Sequence, residues 1–138
     1  MDIQINTGAK EFNLGGKVSV WFNPTDMAFA QRIYDTFAGL EEQQNKYTEM
    51  LRNADEDASV FVIGQEMDKE MRDAVNGVFG VDVVTPLIGD MNVYAFADGL
   101  PIWANILMAV LDTMSDTVKE ETKRSKQRID KYTKKYHR

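Results

Sequence analysis

Lys17-Val18-Ser19-Val20-Trp21-Phe22-Asn23-Pro24-Thr25-Asp26 is the stretch where this chain changes its period. Residues 17–22 alternate β-branched and aromatic side chains with polar ones, as a half-buried strand does. The next four residues read as a helix start. Asn23 or Thr25 serves as the cap, Pro24 fits a first helical position where no N–H is needed, and Asp26 sits at the positive end of the helix dipole. A strand delivered straight into a helix sets the fold class as α+β, mainly α-helical.

Toward the N-terminus, Gly15-Gly16 can take the positive φ of a tight turn, and Phe12 and Leu14 continue the period of two. Asn6-Thr7-Gly8 offers a second turn, beyond which Ile3 and Ile5 alternate with polar residues. The pattern predicts an N-terminal β-hairpin or, over 2–22, a three-stranded meander. So few strands do not stand alone in water, so one face must lie on the helices that follow.

Toward the C-terminus, Ala30, Ile33, Phe37, Leu40, Gln44, Tyr47 and Leu51 recur at helical spacing, with Gly39 a place for a bend. Asn53 to Asp57 breaks that helix, and its acids suit the start of the next. Phe61, Gly64, Met67, Met71, Val75 and Val78 place a second helix at about 57–79, closed by Gly77 and Gly80, with Val60 to Ile63 also readable as a short strand. Residues 81–99 suggest a short buried helix or turn limited by Pro86. Asp98-Gly99-Leu100-Pro101 reads as the opening of a last helix over 101–136, whose stripe is Trp103, Leu107, Leu111, Met114, Val118, Ser125, Ile129, Tyr132 and Tyr136. At ~1.5 Å per residue such a helix reaches about 54 Å, longer than a compact body of this size. Its end therefore projects or pairs with another chain, and a homo-oligomer is expected. The domain reading is a single α+β unit at 1–118 with three or four helices, followed by a basic helical extension at 119–138.

Composition bounds the function. The 138 residues are 43% hydrophobic, enough for one core, and 28% charged. No apolar run approaches the roughly 18 residues of a spanning helix, and residues 1–5 carry no signal-peptide pattern. With no cysteine, thiolate catalysis, disulfides and cysteine zinc sites are all excluded, and a reducing cytoplasm is the expected location. The single histidine, His137, stands one residue from the end, where a general base is poorly held. Charge is uneven: residues 117–138 hold nine Lys or Arg against three acids, a net +6, while the remaining 116 residues carry −12.

The chemical inventory is thin. No phosphate-binding glycine loop occurs, and Gly77-Val78-Phe79-Gly80 reads as a helix end. Asp55, Glu56 and Asp57 lack the spacing of a calcium loop. Glu66 and Glu70 share a helix face, but Lys69 and Arg72 stand beside them and no histidine joins them. The expectation is no enzyme, no cofactor and no metal. Met67, Met71, Met108 and Met114 fall on or near the apolar stripes, as core or as an adaptable groove for a partner helix. Trp21, Trp103, Tyr94 and Phe96 read as core anchors first and partner contacts second. The candidates for partner binding are Met67, Met71, Trp103, Leu107, Leu111, Met114, Ile129, Tyr132 and Tyr136. A basic patch comprises Lys123, Arg124, Lys126, Arg128, Lys131, Lys134 and Lys135. Through that patch, with Tyr132 and Tyr136 for stacking, a nucleic-acid-associated accessory role is the alternative. The acidic remainder opposes it.

Four stretches also carry a resemblance: Ile3-Gln4-Ile5 with Glu11-Phe12, Phe22-Asn23-Pro24-Thr25-Asp26, Val78-Phe79-Gly80, and Ala97-Asp98-Gly99-Leu100-Pro101. Together they resemble small prophage-encoded proteins of gut Firmicutes, which are similar to the tail assembly chaperones of long-tailed phages. The resemblance implies a small acidic, mainly helical factor without catalytic residues. Its implied partners are the tape measure protein and the major tail (tail tube) protein, and its implied place is the host cytoplasm or the virion. The basic segment after Thr117 departs from that pattern and leaves a connector or scaffolding role open.

Overall fold

A computed structural model describes residues 1–136, apart from the side chains of Tyr132 and Tyr136. His137 and Arg138 lie outside the described residues. The alternating residues around Gly15-Gly16 form one antiparallel hairpin, β1 (Lys10–Leu14) and β2 (Val18–Phe22), in the register Lys10↔Phe22, Phe12↔Val20 and Leu14↔Val18. Both glycines take positive φ, and a Cβ on Gly15 would stand 2.9 Å from Leu87 Cδ2, so that position needs glycine on two counts.

The hairpin has two strands, and the third strand of the expected meander does not form. Asn6 Oδ1 accepts from the Gly8 N–H, Gly8 takes positive φ, and the Asn23 side chain donates to the Thr7 carbonyl at 2.8 Å. That carbonyl is thereby committed to a side chain, and Ile3 and Ile5 remain exposed.

Helix α1 (Met27–Arg52) is capped by Asp26, whose carboxylate accepts from Ala28 N at 2.9 Å. Asn23 is not the cap: its Oδ1 holds Thr25 through both N–H and hydroxyl, and Pro24 lies in the turn ahead of the helix. Helix α2 (Asp57–Phe79) includes Val60 to Ile63 and ends on Gly80 in the left-handed conformation. Gly77 lies within its last turns. A short helix α3 (Val84–Ile88) follows, set by Asn76, whose Oδ1 accepts from Val83 N and Val84 N, and by Asp82, which accepts from Thr85 N. Those Thr85 bonds hold the exposed Asp82 carboxyl below the usual carboxylate range.

Asp98-Gly99 is a turn and not a helix start. Both residues take positive φ and join β3 (Phe96–Ala97) to β4 (Leu100–Pro101) in a second small hairpin, the role for which Asp-Gly is best suited. Helix α4 (Ile102–Tyr136) begins directly after it.

The core gathers one face of each element. Phe12 stacks on Phe22 (4.4 Å between ring centroids), Phe22 on Phe29 (4.7 Å), and Phe29 meets Phe79 edge-on (6.1 Å), joining hairpin, α1 and α2. Such pairs contribute about 0.5–1.5 kcal/mol beyond the area they bury. From α4 come Trp103, Ala104, Leu107, Val110 and Met114; Trp103 meets Phe37 at 5.1 Å, and its indole donates to Gln44 Oε1 at 3.3 Å. Among the described side chains of α4, Met114 is the last that is buried. Residues 115–136 run on for about 33 Å at ~1.5 Å per residue, nearly all exposed.

Candidate protein-binding groove

Where α1 ends and α2 begins, the two helices extend past the cover of α4. The local sequence there still follows the apolar stripe, which exposes what the stripe would otherwise bury: Phe61 is 71% accessible, with Val60 and Val62 beside it. The segment 89–96 crosses this end, carrying Phe96, 69% accessible, at the entry of the small hairpin. Between them lies a groove of about 560 Å³, lined by Gln44, Thr48 and Leu51 of α1, by Val60, Phe61, Gly64, Gln65 and Met67 of α2, and by Asn92, Tyr94, Ala95 and Phe96. Exposed aromatics bordering a concave, partly apolar surface are the usual anatomy of a recognition site.

A partly buried ion pair holds the crossing segment in place. Arg72 Nε donates to Asp68 at 2.9 Å, one turn earlier on α2, while Arg72 Nη2 donates to the carbonyls of Gly89 and Met91, each at 2.7 Å. Asp68 in return accepts from Val93 N at 2.7 Å, and Asn92 reaches the Gly64 carbonyl at 3.2 Å. Charge-assisted bonds of this kind are about twice as strong as neutral ones. The same strap bonds α4, since Trp103 N donates to the Val93 carbonyl at 3.2 Å.

Two phenols face this region with opposite fortunes. The Tyr47 hydroxyl donates to the Glu70 carboxylate, and burial, then that carboxylate, pushes its pKa up to about 12. The Tyr94 ring borders the groove, while its hydroxyl is buried with no hydrogen-bond partner among the described residues, and burial raises its pKa further still. A buried donor left unpaired costs about 1–3 kcal/mol. Both phenols stay protonated at neutral pH. Among the described residues no group of three or more His, Asp or Glu is placed to hold a metal ion.

The structure distributes the predicted site residues differently from the sequence reading. Met67, Met71, Trp103, Leu107 and Met114 are buried in the core, so they form no open methionine-lined surface; Met67 alone of them also borders the groove. Burial follows because α1, α2 and α4 each turn that stripe toward the others. Leu111 is half-buried against the same core. Ile129 is 60% accessible on the extension, and the side chains of Tyr132 and Tyr136 lie outside the described residues. Lys123, Arg124, Lys126, Arg128, Lys131, Lys134 and Lys135 are all exposed on α4 beyond Met114, and Arg124 pairs with Glu121 at 3.1 Å. Arg124 and Arg128 also border a polar cleft shared with residues 6–10 and 23–25. Trp21 and Phe96 face solvent instead of anchoring the core.

The groove itself was not legible in the sequence, because Phe61 and Phe96 come from separate segments. Two signals pointed toward it: the Asp68/Arg72 spacing of four on one helix, and the Asp98-Gly99 dipeptide as a hairpin turn. No known protein family, curated protein or solved structure matches this chain.

Proposed function

We propose that this chain is a non-enzymatic assembly factor, of the kind represented by phage tail assembly chaperones, that holds an apolar segment of a partner protein in the Phe61–Phe96 groove. The observation that carries the reading is the groove's composition: two exposed phenylalanines, Phe61 and Phe96, facing a concave surface bounded by a strap fixed by Asp68 and Arg72. An amphipathic helix laid in such a groove anchors apolar side chains on the aromatics. The resemblance set out above names the tape measure protein, a long helical chain, as the partner, with the tail tube protein as a second. No helix among the described residues is long and apolar enough to cross a membrane. The cytoplasm of a bacterial host is the proposed place of action.

The test is co-expression with a tape measure protein of a long-tailed phage. The chain should raise the soluble yield of that protein and co-purify with it, and Phe61→Asp combined with Phe96→Asp should abolish both effects while leaving the circular dichroism unchanged. An unchanged soluble yield with the wild-type chain overturns the proposal. The exposed basic half of α4 favours the second reading, a nucleic-acid accessory, which predicts retardation of DNA or RNA that weakens steeply as salt rises.

A further inference from the structure

We infer that the basic half of α4 docks on the acidic seam between α1 and α2 of a second copy of this chain. The seam is a groove of about 730 Å³ whose lining includes Gly39, Leu40, Gln43 and Ala74 with one acid, Glu42, and one base, Lys46, so its negative charge comes from the α2 carboxylates beside it, among which Lys69 is the one exposed base. A Cβ added at Gly39 would meet nothing within 4 Å, so the floor is open to another helix. Glu70 borders it through its bonds to Gln43 (3.1 Å) and Tyr47, and exposed Glu66 and Asp73 stand one turn to either side on α2. Residues 27–79 carry eleven acids and five bases, a net −6, against the +6 of residues 117–138. Two of those bases are engaged within the chain, Arg52 with Glu49 and Arg72 with Asp68.

Two physical constraints select the occupant. The basic half continues a helix whose first half is packed in the body, so it cannot turn back onto the seam of its own chain. Pairing two basic halves with each other sets like charges side by side. The seam of another copy answers both, because it supplies opposite charge and an open floor. Val118 and Ile129 continue the stripe of Leu107 and Met114 and provide the apolar contact, with Lys126 and Arg128 flanking it. This interface is separate from the Phe61–Phe96 groove.

Sedimentation velocity tests it directly. At ~0.05 M salt the wild-type chain should self-associate reversibly, and at ~0.5 M, where the screening length falls to a few Å, the association constant should drop at least tenfold. Reversing the extension (Lys126→Glu, Arg128→Glu, Lys131→Glu) or the seam (Glu42→Lys, Glu66→Lys, Asp73→Lys) should each give a monomer at low salt. All six side chains are exposed, and circular dichroism checks that the fold is kept. Mixing the two reversed variants should restore association, because each then supplies the charge the other lacks. A monomeric wild-type chain at low salt overturns the inference, as does association that survives either reversal or a mixture that stays monomeric. A monomer that retards DNA through its extension assigns that helix to nucleic acid instead.

Discussion

The two halves of α4 share one helix and one apolar repeat, yet they live in different surroundings. From Trp103 to Met114 the stripe is packed against α1, α2 and the hairpin; from Val118 to Ile129 the same spacing faces water. Periodicity therefore reports that a segment is helical and which face is apolar. It does not report whether anything is there to cover that face. What separates the halves in the sequence is the flanks: eight basic residues crowd the second half, and a cationic neighbourhood is costly to bring into a core.

The sharpest way to break this comparison is to truncate one residue in each half. Trp103→Ala removes a side chain that is 1% accessible, together with its contacts to Phe37 and Gln44, and should destabilise the chain by about 3–5 kcal/mol. Ile129→Ala should change stability by no more than about 0.5 kcal/mol. Urea denaturation in ~0.5 M salt, where charge-driven association is screened, measures both. Equal losses would mean that the second half is packed after all.

A smaller effect is expected where the packed half begins. Asp68→Asn removes the charge that holds Arg72 and weakens the acceptor of Val93 N, whose residue in turn accepts from Trp103 N. The expected loss is about 1–3 kcal/mol, with amide exchange at Val93 and Trp103 accelerated by the substitution and exchange beyond Met114 unchanged. Unchanged exchange at those two amides would show that the strap does not order the start of α4.

The smallest effect is confined to alkaline pH. The phenol of Tyr47 is raised from 10.0 to about 12 in the folded chain, so the fold favours its protonated form. Its contribution to stability is full below pH 10 and is lost as pH rises toward 12. The wild-type chain should therefore lose more stability across that window than Tyr47→Phe does. Parallel pH profiles for the two chains would contradict the environment described for Tyr47.

How much of this was legible beforehand follows from the range of the forces involved. The bounds of α2 were readable at 57–79, because acids at its start and Gly80 at its end are local signals. The β1–β2 hairpin was readable for the same reason. The start of α4 was misplaced by one residue, and the β3–β4 hairpin was missed altogether, because Leu100-Pro101 suggested a helix entry more loudly than Asp98-Gly99 suggested a turn. Ile3 and Ile5 carry a strand's alternation, but the turn at 6–8 is held by Asn23, sixteen residues beyond Thr7, and the two isoleucines stay exposed. Met67, Met71 and Met114 lie on buried stripes while Met108 is exposed; that the stripes close on one another, and that Phe61 stays uncovered, depends on where three helices meet.

The indole of Trp103 also sets an order in time. The hairpin β1–β2 and the pairing of α1 with α2 join neighbours along the chain, whereas Trp103 reaches Gln44 across 59 residues. Closing so long a loop costs entropy that grows only with the logarithm of its length, but that entropy is lost before the contact returns anything. Closure of the core therefore waits for the first turns of α4. Until they dock, the faces of α1 and α2 that α4 packs against stay open to water, and apolar surface left open in a partly folded chain is where aggregation begins.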